Sequence, residues 1–199
     1  MRGRPATYND REVLEKAQQV FWKKGYTATS MDDLLTATGM GSGSFYNTFK
    51  GGKKELFRKA LQQRREAFDE FKTRLKESDA PLELIRDFFR SVAREDKNKH
   101  MQGCIVANTV MEMAGLDEEL EAEATAILRD VEKMFSKAVK TAQERGQIAN
   151  RTDAVVLGRY LITLWNGLNV TRRMYPDTKS CAGRLICSWK CSDNELLND

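Results

Sequence analysis

Apolar residues along this chain recur at intervals of three and four, and no stretch alternates convincingly with period two, so the pattern is helical throughout. Val13, Leu14, Ala17, Val20 and Phe21 share one face of a helix over about 9–24. Gly25 follows as its stop, a place where glycine tolerates a left-handed backbone. Ser30 reads as the N-cap of a second helix over 31–38, with Asp33 three residues on as the returning arm of a capping box. Gly39-Met40-Gly41 forms a tight turn, and 42–48 a third short helix. After Gly51-Gly52 the pattern predicts one long helix over 53–76, carrying Leu56, Phe57, Ala60, Leu61, Ala67, Phe68, Phe71 and Leu75. Pro81 sits in the first turn of the next helix, where its missing N–H is harmless, and Leu82, Ile85, Phe88, Phe89 and Val92 form its buried stripe. The polar run 94–99 reads as a loop. Helices are expected at 103–114, 117–145, 152–175 and 180–191, with Pro176 ending the penultimate one. The fold class is all-α.

Two short helices joined by a three-residue, glycine-bearing turn make a helix-turn-helix. Met31, Leu34, Leu35 and Met40 supply its packing, and the second helix, Ser42-Gly43-Ser44-Phe45-Tyr46-Asn47-Thr48, carries no bulky charge. Small side chains let such a helix approach base edges in the major groove, where hydroxyl and amide groups form hydrogen bonds. Lys50, Lys53 and Lys54 follow at once, near the start of the long helix, whose dipole also favours phosphates.

Charge fits this picture without proving it. Residues 1–60 hold eleven Lys/Arg against six Asp/Glu, whereas the rest of the chain holds 22 against 23. The whole excess of positive charge therefore lies at the N-terminal end, as a site for a polyanion or as a solvated basic face.

Other chemistries find little support. His100 is the single histidine, which removes HExxH zinc sites and multi-histidine clusters. Gly39, Gly41 and Gly43 miss a dinucleotide-binding loop because residue 44 is serine and no strand precedes them. Gly51-Gly52-Lys53-Lys54 lacks the earlier glycine and the Ser/Thr of a P-loop. Cys181, Cys187 and Cys191 contain no CxxC pair, so no metal site and no cofactor is expected. There are no paired carboxylates and no nucleophile elbow, so the chain is not expected to be an enzyme. With neither an eighteen-residue apolar run nor an apolar segment behind the basic N-terminus, a cytoplasmic protein with reduced cysteines and no membrane partner is expected.

Residues 10–61 resemble the DNA-binding domain of the TetR/AcrR family of bacterial regulators. The matching strings are Ala17-x-x-Val20-Phe21-x-x-x-Gly25-Tyr26-x-x-Thr29-Ser30-Met31, then Gly39-Met40-Gly41-Ser42-Gly43-Ser44-Phe45-Tyr46-x-x-Phe49, then Lys54-Glu55-Leu56-Phe57. The resemblance implies an N-terminal three-helix DNA-binding domain over 1–55. A C-terminal ligand-sensing and dimerisation bundle over 56–199 would follow, about nine helices in all. It implies a homodimeric repressor released from its operator by a small-molecule inducer. By position, Thr29 and Ser30 resemble the family's phosphate contacts. Ser42, Ser44 and Phe45 resemble groove-facing positions of the recognition helix, Tyr46 and Asn47 phosphate or base contacts, and Lys53 or Lys54 the backbone contact of the fourth helix. Arg4, in Arg2-Gly-Arg4-Pro, resembles a basic arm for the minor groove, with a plain tail as the alternative.

In the C-terminal half, Val155, Val156, Leu157, Leu161, Ile162, Leu164, Trp165 and Leu168 wrap more than one face of their helix, so that helix should be buried on two sides. The family builds its dimer interface from its last two helices. Phe88, Phe89, Cys104, Asn108, Met111, Trp165 and Asn169 are candidates for an inducer pocket or for plain core. Gln102-Gly103-Cys104 resembles a family subgroup, and a thiol at a helix N-terminus suits redox or electrophile sensing. A small buried thiol is the alternative for Cys104, and a protein-binding helical adaptor is the alternative for the chain.

Overall fold

The computed structural model describes residues 9–177 and 179. Among these lie nine helices and no strand: α1 (Asp10–Lys24), α2 (Met31–Thr38), α3 (Ser42–Thr48), α4 (Gly52–Glu77), α5 (Pro81–Ala93), α6 (Lys97–Gln102), α7 (Ile105–Met113), α8 (Glu118–Glu144) and α9 (Ala154–Met174). Arg4, the helix expected over 180–191, Cys181, Cys187 and Cys191 lie outside the described residues.

Local chemistry sets most of the helix ends. Asn9 caps α1 by accepting the Arg11 N–H at 3.1 Å. Ser30 Oγ accepts the Asp33 N–H at 3.1 Å while Asp33 Oδ2 accepts the Ser30 N–H at 3.0 Å, so the expected capping box of α2 is complete in both directions. Such a cap stabilises a helix by about 1 kcal/mol. Gly39 takes φ 71 and ψ 14, the left-handed conformation that ends α2 and lets the chain turn into α3. Gly25 differs from expectation: its φ of 82 is positive, but ψ 176 takes it out of the left-handed helical region.

The 94–99 run is only partly a loop. Asp96 accepts the Lys99 N–H at 2.9 Å and starts α6 within that polar stretch. Gly103, at φ 67, ends α6, and α7 begins after Cys104 rather than at 103.

One continuous apolar core runs along α4. Phe21, Leu34, Met40, Phe45 and Phe49 of the N-terminal helices close against Leu56, Phe57, Ala60 and Leu61 of α4. The Phe21 and Phe57 rings meet edge to face at 4.8 Å, and buried Gln18 donates Nε2 to the Ala60 carbonyl at 3.0 Å. Further along α4, Phe68 and Leu75 join Leu82, Ile85 and Phe89 of α5. The same core takes in Ile127, Val131 and Phe135 of α8 and Leu161, Trp165 and Leu168 of α9. Each buried leucine or phenylalanine is worth about 1.5–3 kcal/mol, so α4 is anchored firmly in both halves.

The most extensive helix pair is α8 with α9. They touch backbone to backbone at Gly158, where a Cβ would stand 2.0 Å from Ser136 Oγ and 2.8 Å from the Ser136 nitrogen. Because backbone cannot swing aside, Gly158→Ala should force the helices apart, and overpacking of this kind costs about 1–3 kcal/mol. The expected result is a melting temperature lower by about 2–10 °C in calorimetry. An unchanged melting temperature would contradict so close an approach.

Candidate nucleic-acid interface

Helix α3 has an inner and an outer face. Phe45 and Phe49, four residues apart, both point into the core, with their rings 5.2 Å from each other. Ser42, Gly43, Tyr46, Asn47 and Thr48 are exposed and Ser44 is half-buried. The outer face is thus polar and uncharged. Tyr46 keeps half its surface in solvent and stands edge-on to Phe45 at 5.4 Å, which fixes the direction of its ring. Phe45 is completely buried and does not face outward as the resemblance implied, because together with the cap residue Phe49 it anchors the short helix in the core.

The phosphate candidates are also redistributed. Thr29 is buried, and its hydroxyl donates to the Gly25 carbonyl at 2.5 Å, so it holds the turn before α2 and is not available outside. Ser30 is exposed at the cap of α2. Lys53 Nζ donates to the carbonyls of Tyr26 at 3.0 Å and Thr29 at 2.9 Å, and lies 4.4 Å from the centre of the Tyr26 ring. Lys54 Nζ pairs with Asp117 at 2.7 Å and Glu119 at 2.9 Å, from the start of α8. Both ammonium groups are therefore committed within the protein. Lys50 is exposed in the turn after α3 with no ion pair among the described residues, which leaves it as the open cation of the three. Thr27 and Thr48 are also exposed.

Acidic side chains from the second half grip this region. Glu112 of α7 accepts the Tyr26 N–H at 3.0 Å through Oε2 and the Thr27 N–H at 2.7 Å through Oε1. Its carboxylate fills the space beside Gly25, where a Cβ would lie 2.8 Å from Oε2. Arg58 pairs with Glu119 at 2.9 Å and Glu123 at 2.7 Å. Hydrogen bonding to Asp117 and Glu119 raises the Lys54 pKa, and the Lys54 ammonium lowers both carboxyls. The Trp22 indole N–H donates to the Gly103 carbonyl at 3.1 Å, a further tie between the halves.

The inducer candidates separate into two groups. Phe88 stacks on Phe71 at 5.1 Å and lies 5.0 Å from Trp165, while Phe89 meets Trp165 at 6.2 Å, so these three fill the interior. Asn108, Met111 and Asn169 instead line an open groove of about 840 Å³ between the end of α1, α7 and α9. Cys104 is buried at the cap position of α7 and makes no capping hydrogen bond with its thiol. No group of three or more potential metal ligands occurs among the described residues. Nor is any described helix long and apolar enough to cross a membrane.

Asp33 makes the cap of α2 sensitive to acid. Its carboxyl is held at about 2, against an ordinary 3.8, first by the Lys24 ammonium at 2.6 Å and then by the Ser30 N–H and hydroxyl. A depressed carboxyl stabilises the fold while charged. Its contribution is therefore complete above the ordinary value and is lost as pH falls from about 4 to about 2. The Asp33 carboxyl carbon should accordingly titrate near 2 by NMR, and Asp33→Asn should remove this step; titration at the ordinary value would mean an open cap.

Residues 13–60 match the model for "Bacterial regulatory proteins, tetR family", and residues 81–184 match "Tetracyclin repressor-like, C-terminal domain". The chain is 28% identical over 160 residues to the HTH-type transcriptional repressor DhaR of Mycobacterium sp. (strain GP1), covering 78% of this chain and 77% of DhaR. In fold it is similar to the regulatory protein TetR from Rhodobacter sphaeroides, with a TM-score of 0.79 at 20% identity over 91% of this chain and 97% of that one. A cysteine-substituted form of the regulator CifR, complexed with a 26-bp operator duplex, superposes with a TM-score of 0.78 at 23% identity, covering 94% and 98%. The helix-turn-helix, its polar outer face and the helical half behind it belong together: this chain is a member of the TetR family of DNA-binding transcriptional regulators.

Proposed function

We propose that this regulator is a homodimeric repressor that reads a two-fold operator with α3 and is released by a small-molecule inducer. The division of labour follows the chain, with 1–55 for DNA and 56–199 for sensing and dimerisation. The sense of regulation is carried over from DhaR, a repressor. The observation that carries the DNA contact is the uncharged polar face of α3, where Ser42, Gly43, Tyr46 and Asn47 stand exposed with Ser44 beside them. Such a surface suits base edges, while Lys50 and Ser30 supply phosphate contacts and the basic segment around Arg4 reaches into the minor groove.

The outer side of α9 supports the dimer. Val156, Tyr160, Thr163, Gly167, Val170 and Met174 follow one another at spacings of four and three, and all but half-buried Tyr160 are exposed. That spacing keeps them on one seam, the arrangement by which two helices pack. Nothing lies within 4 Å of the place a Gly167 Cβ would take, so a second helix can approach closely there. An isologous contact through α9 would set two copies of α3 against successive turns of DNA, about 34 Å apart.

Support for an inducer comes from the aromatic interior. Trp165 Nε1 and Asn169 Oδ1 are both buried, with no hydrogen-bond partner among the described residues. Buried polar atoms left unpaired are costly, and a mainly apolar molecule offering one acceptor and one donor would satisfy both. Asn108 and Met111, which line the open groove with Asn169, would then border it on the outer side, and Phe88 and Phe89 beside Trp165 on the inner side.

Selection from random duplexes followed by gel shifts tests the DNA reading: a palindromic site should emerge, and absence of any sequence-selective shift at moderate salt would sink it. Tyr46→Ala should weaken binding to that site about ten-fold or more, the loss of a groove contact being worth about 1–3 kcal/mol, with an unchanged melting temperature. Val170→Glu should convert a dimer to a monomer in sedimentation; an unaltered dimer would move the interface elsewhere.

A further inference from the structure

We propose that Glu112 is the positioning residue through which the sensing half orients the helix-turn-helix, an inference that rests on the dimeric reading above. Glu112 lies 86 residues from Tyr26 in sequence, yet its two carboxylate oxygens take the consecutive N–H groups of Tyr26 and Thr27 at 3.0 and 2.7 Å. Two charge-assisted bonds to adjacent amides fix direction as well as distance, and such bonds are roughly twice as strong as neutral ones. Gly25 makes the seat possible, since a Cβ there would collide with the carboxylate at 2.8 Å.

What the carboxylate holds is the turn that leads directly into α2. The same Tyr26 peptide is gripped from its other side by Lys53, whose ammonium takes the Tyr26 carbonyl at 3.0 Å. The next residue, Lys54, reaches Asp117 at 2.7 Å, five residues beyond Glu112. The α7–α8 segment therefore contacts the DNA-reading half on two sides, through Glu112 at the α1–α2 turn and through Asp117 and Glu119 at the start of α4. Two separated points of attachment determine an orientation where one would act as a pivot.

The position of Glu112 on α7 gives the contact its regulatory reach. Its neighbours Asn108 and Met111 line the groove beside α9, and Met111 is 80% exposed. A shift of α7, whether from the interior or from the α9 side, is thus carried through the doubly anchored carboxylate into the turn ahead of α2. In a dimer that motion alters the separation of the two copies of α3 without disturbing either copy's own fold.

The test uses the full-length dimer and two duplexes, one with both half-sites of the selected operator and one with a single half-site scrambled. Glu112→Ala should lower the preference for the intact duplex by about ten-fold, within the range typical of coupling between sites, while affinity for the single half-site stays within about two-fold. Glu112→Gln, which keeps one acceptor, should fall between. Amide exchange at Tyr26 and Thr27 should accelerate in both variants while that of Ala17 and Phe21 in α1 does not. Glu118→Ala, removing an exposed acid of the same segment with no ion pair among the described residues, should behave as wild type. An unchanged preference overturns the proposal. So does an equal loss on both duplexes with faster exchange throughout α1, which would mark Glu112 as a stabiliser of the local fold only. Wild-type protein sedimenting as a monomer on either duplex would instead sink the dimeric reading, and this inference with it.

Discussion

Everything in this protein hangs on α4 being buried at both ends. Phe57, Ala60 and Leu61 complete the core beneath the helix-turn-helix, while Phe68 and Leu75 belong to the core of the second half. A 26-residue helix without proline or a buried interruption does not bend readily, so the two ends of this one core share a stiff axle. Charged contacts at its N-terminal turns then decide how the N-terminal helices sit about that axle. Lys54 and Arg58 reach across to Asp117, Glu119 and Glu123, and Lys53 reaches back into the turn before α2.

This division of tasks explains why the outer face of α3 is neutral. Cations placed on it would bind any stretch of DNA strongly through phosphates, with affinity that falls steeply with salt. Small hydroxyl and amide groups leave discrimination to base edges and keep attraction weak until the geometry is right. Most of the nearby positive charge is accordingly spent inside the protein, as the ties of Lys53 and Lys54 illustrate, and Lys50 remains outward.

Features governed by neighbours in sequence were legible from it. The bounds of α2 and α3, the Ser30–Asp33 capping box and the tight turn at Gly39-Met40-Gly41 all follow from residues within four positions of each other. Features governed by distant partners were not. A phenylalanine at 45 can face groove or core, and only the packing of Met40, Phe49 and α4 around it decides. Lys53 and Lys54 looked like phosphate contacts because their acceptors, the Tyr26 and Thr29 carbonyls and the Asp117 and Glu119 carboxylates, are remote along the chain. Helix α6 was hidden for the opposite reason: its polar composition resembled a loop, and a single side-chain cap from Asp96 outweighed that impression. Glu112 gave no sign at all, since a lone acid at the end of an apolar helix reads as a solvated residue.

The contact at Gly158 bears on how movement can pass through the second half. With the backbones of α8 and α9 meeting at Ser136, neither helix has clearance to roll against the other. Gly158 therefore ties α9, whose outer seam is the proposed dimer surface, closely to α8, whose cap Asp117 and first-turn acids Glu119 and Glu123 hold α4. A single glycine thereby leaves little slack between the surface where two subunits would meet and the charges that hold the reading head.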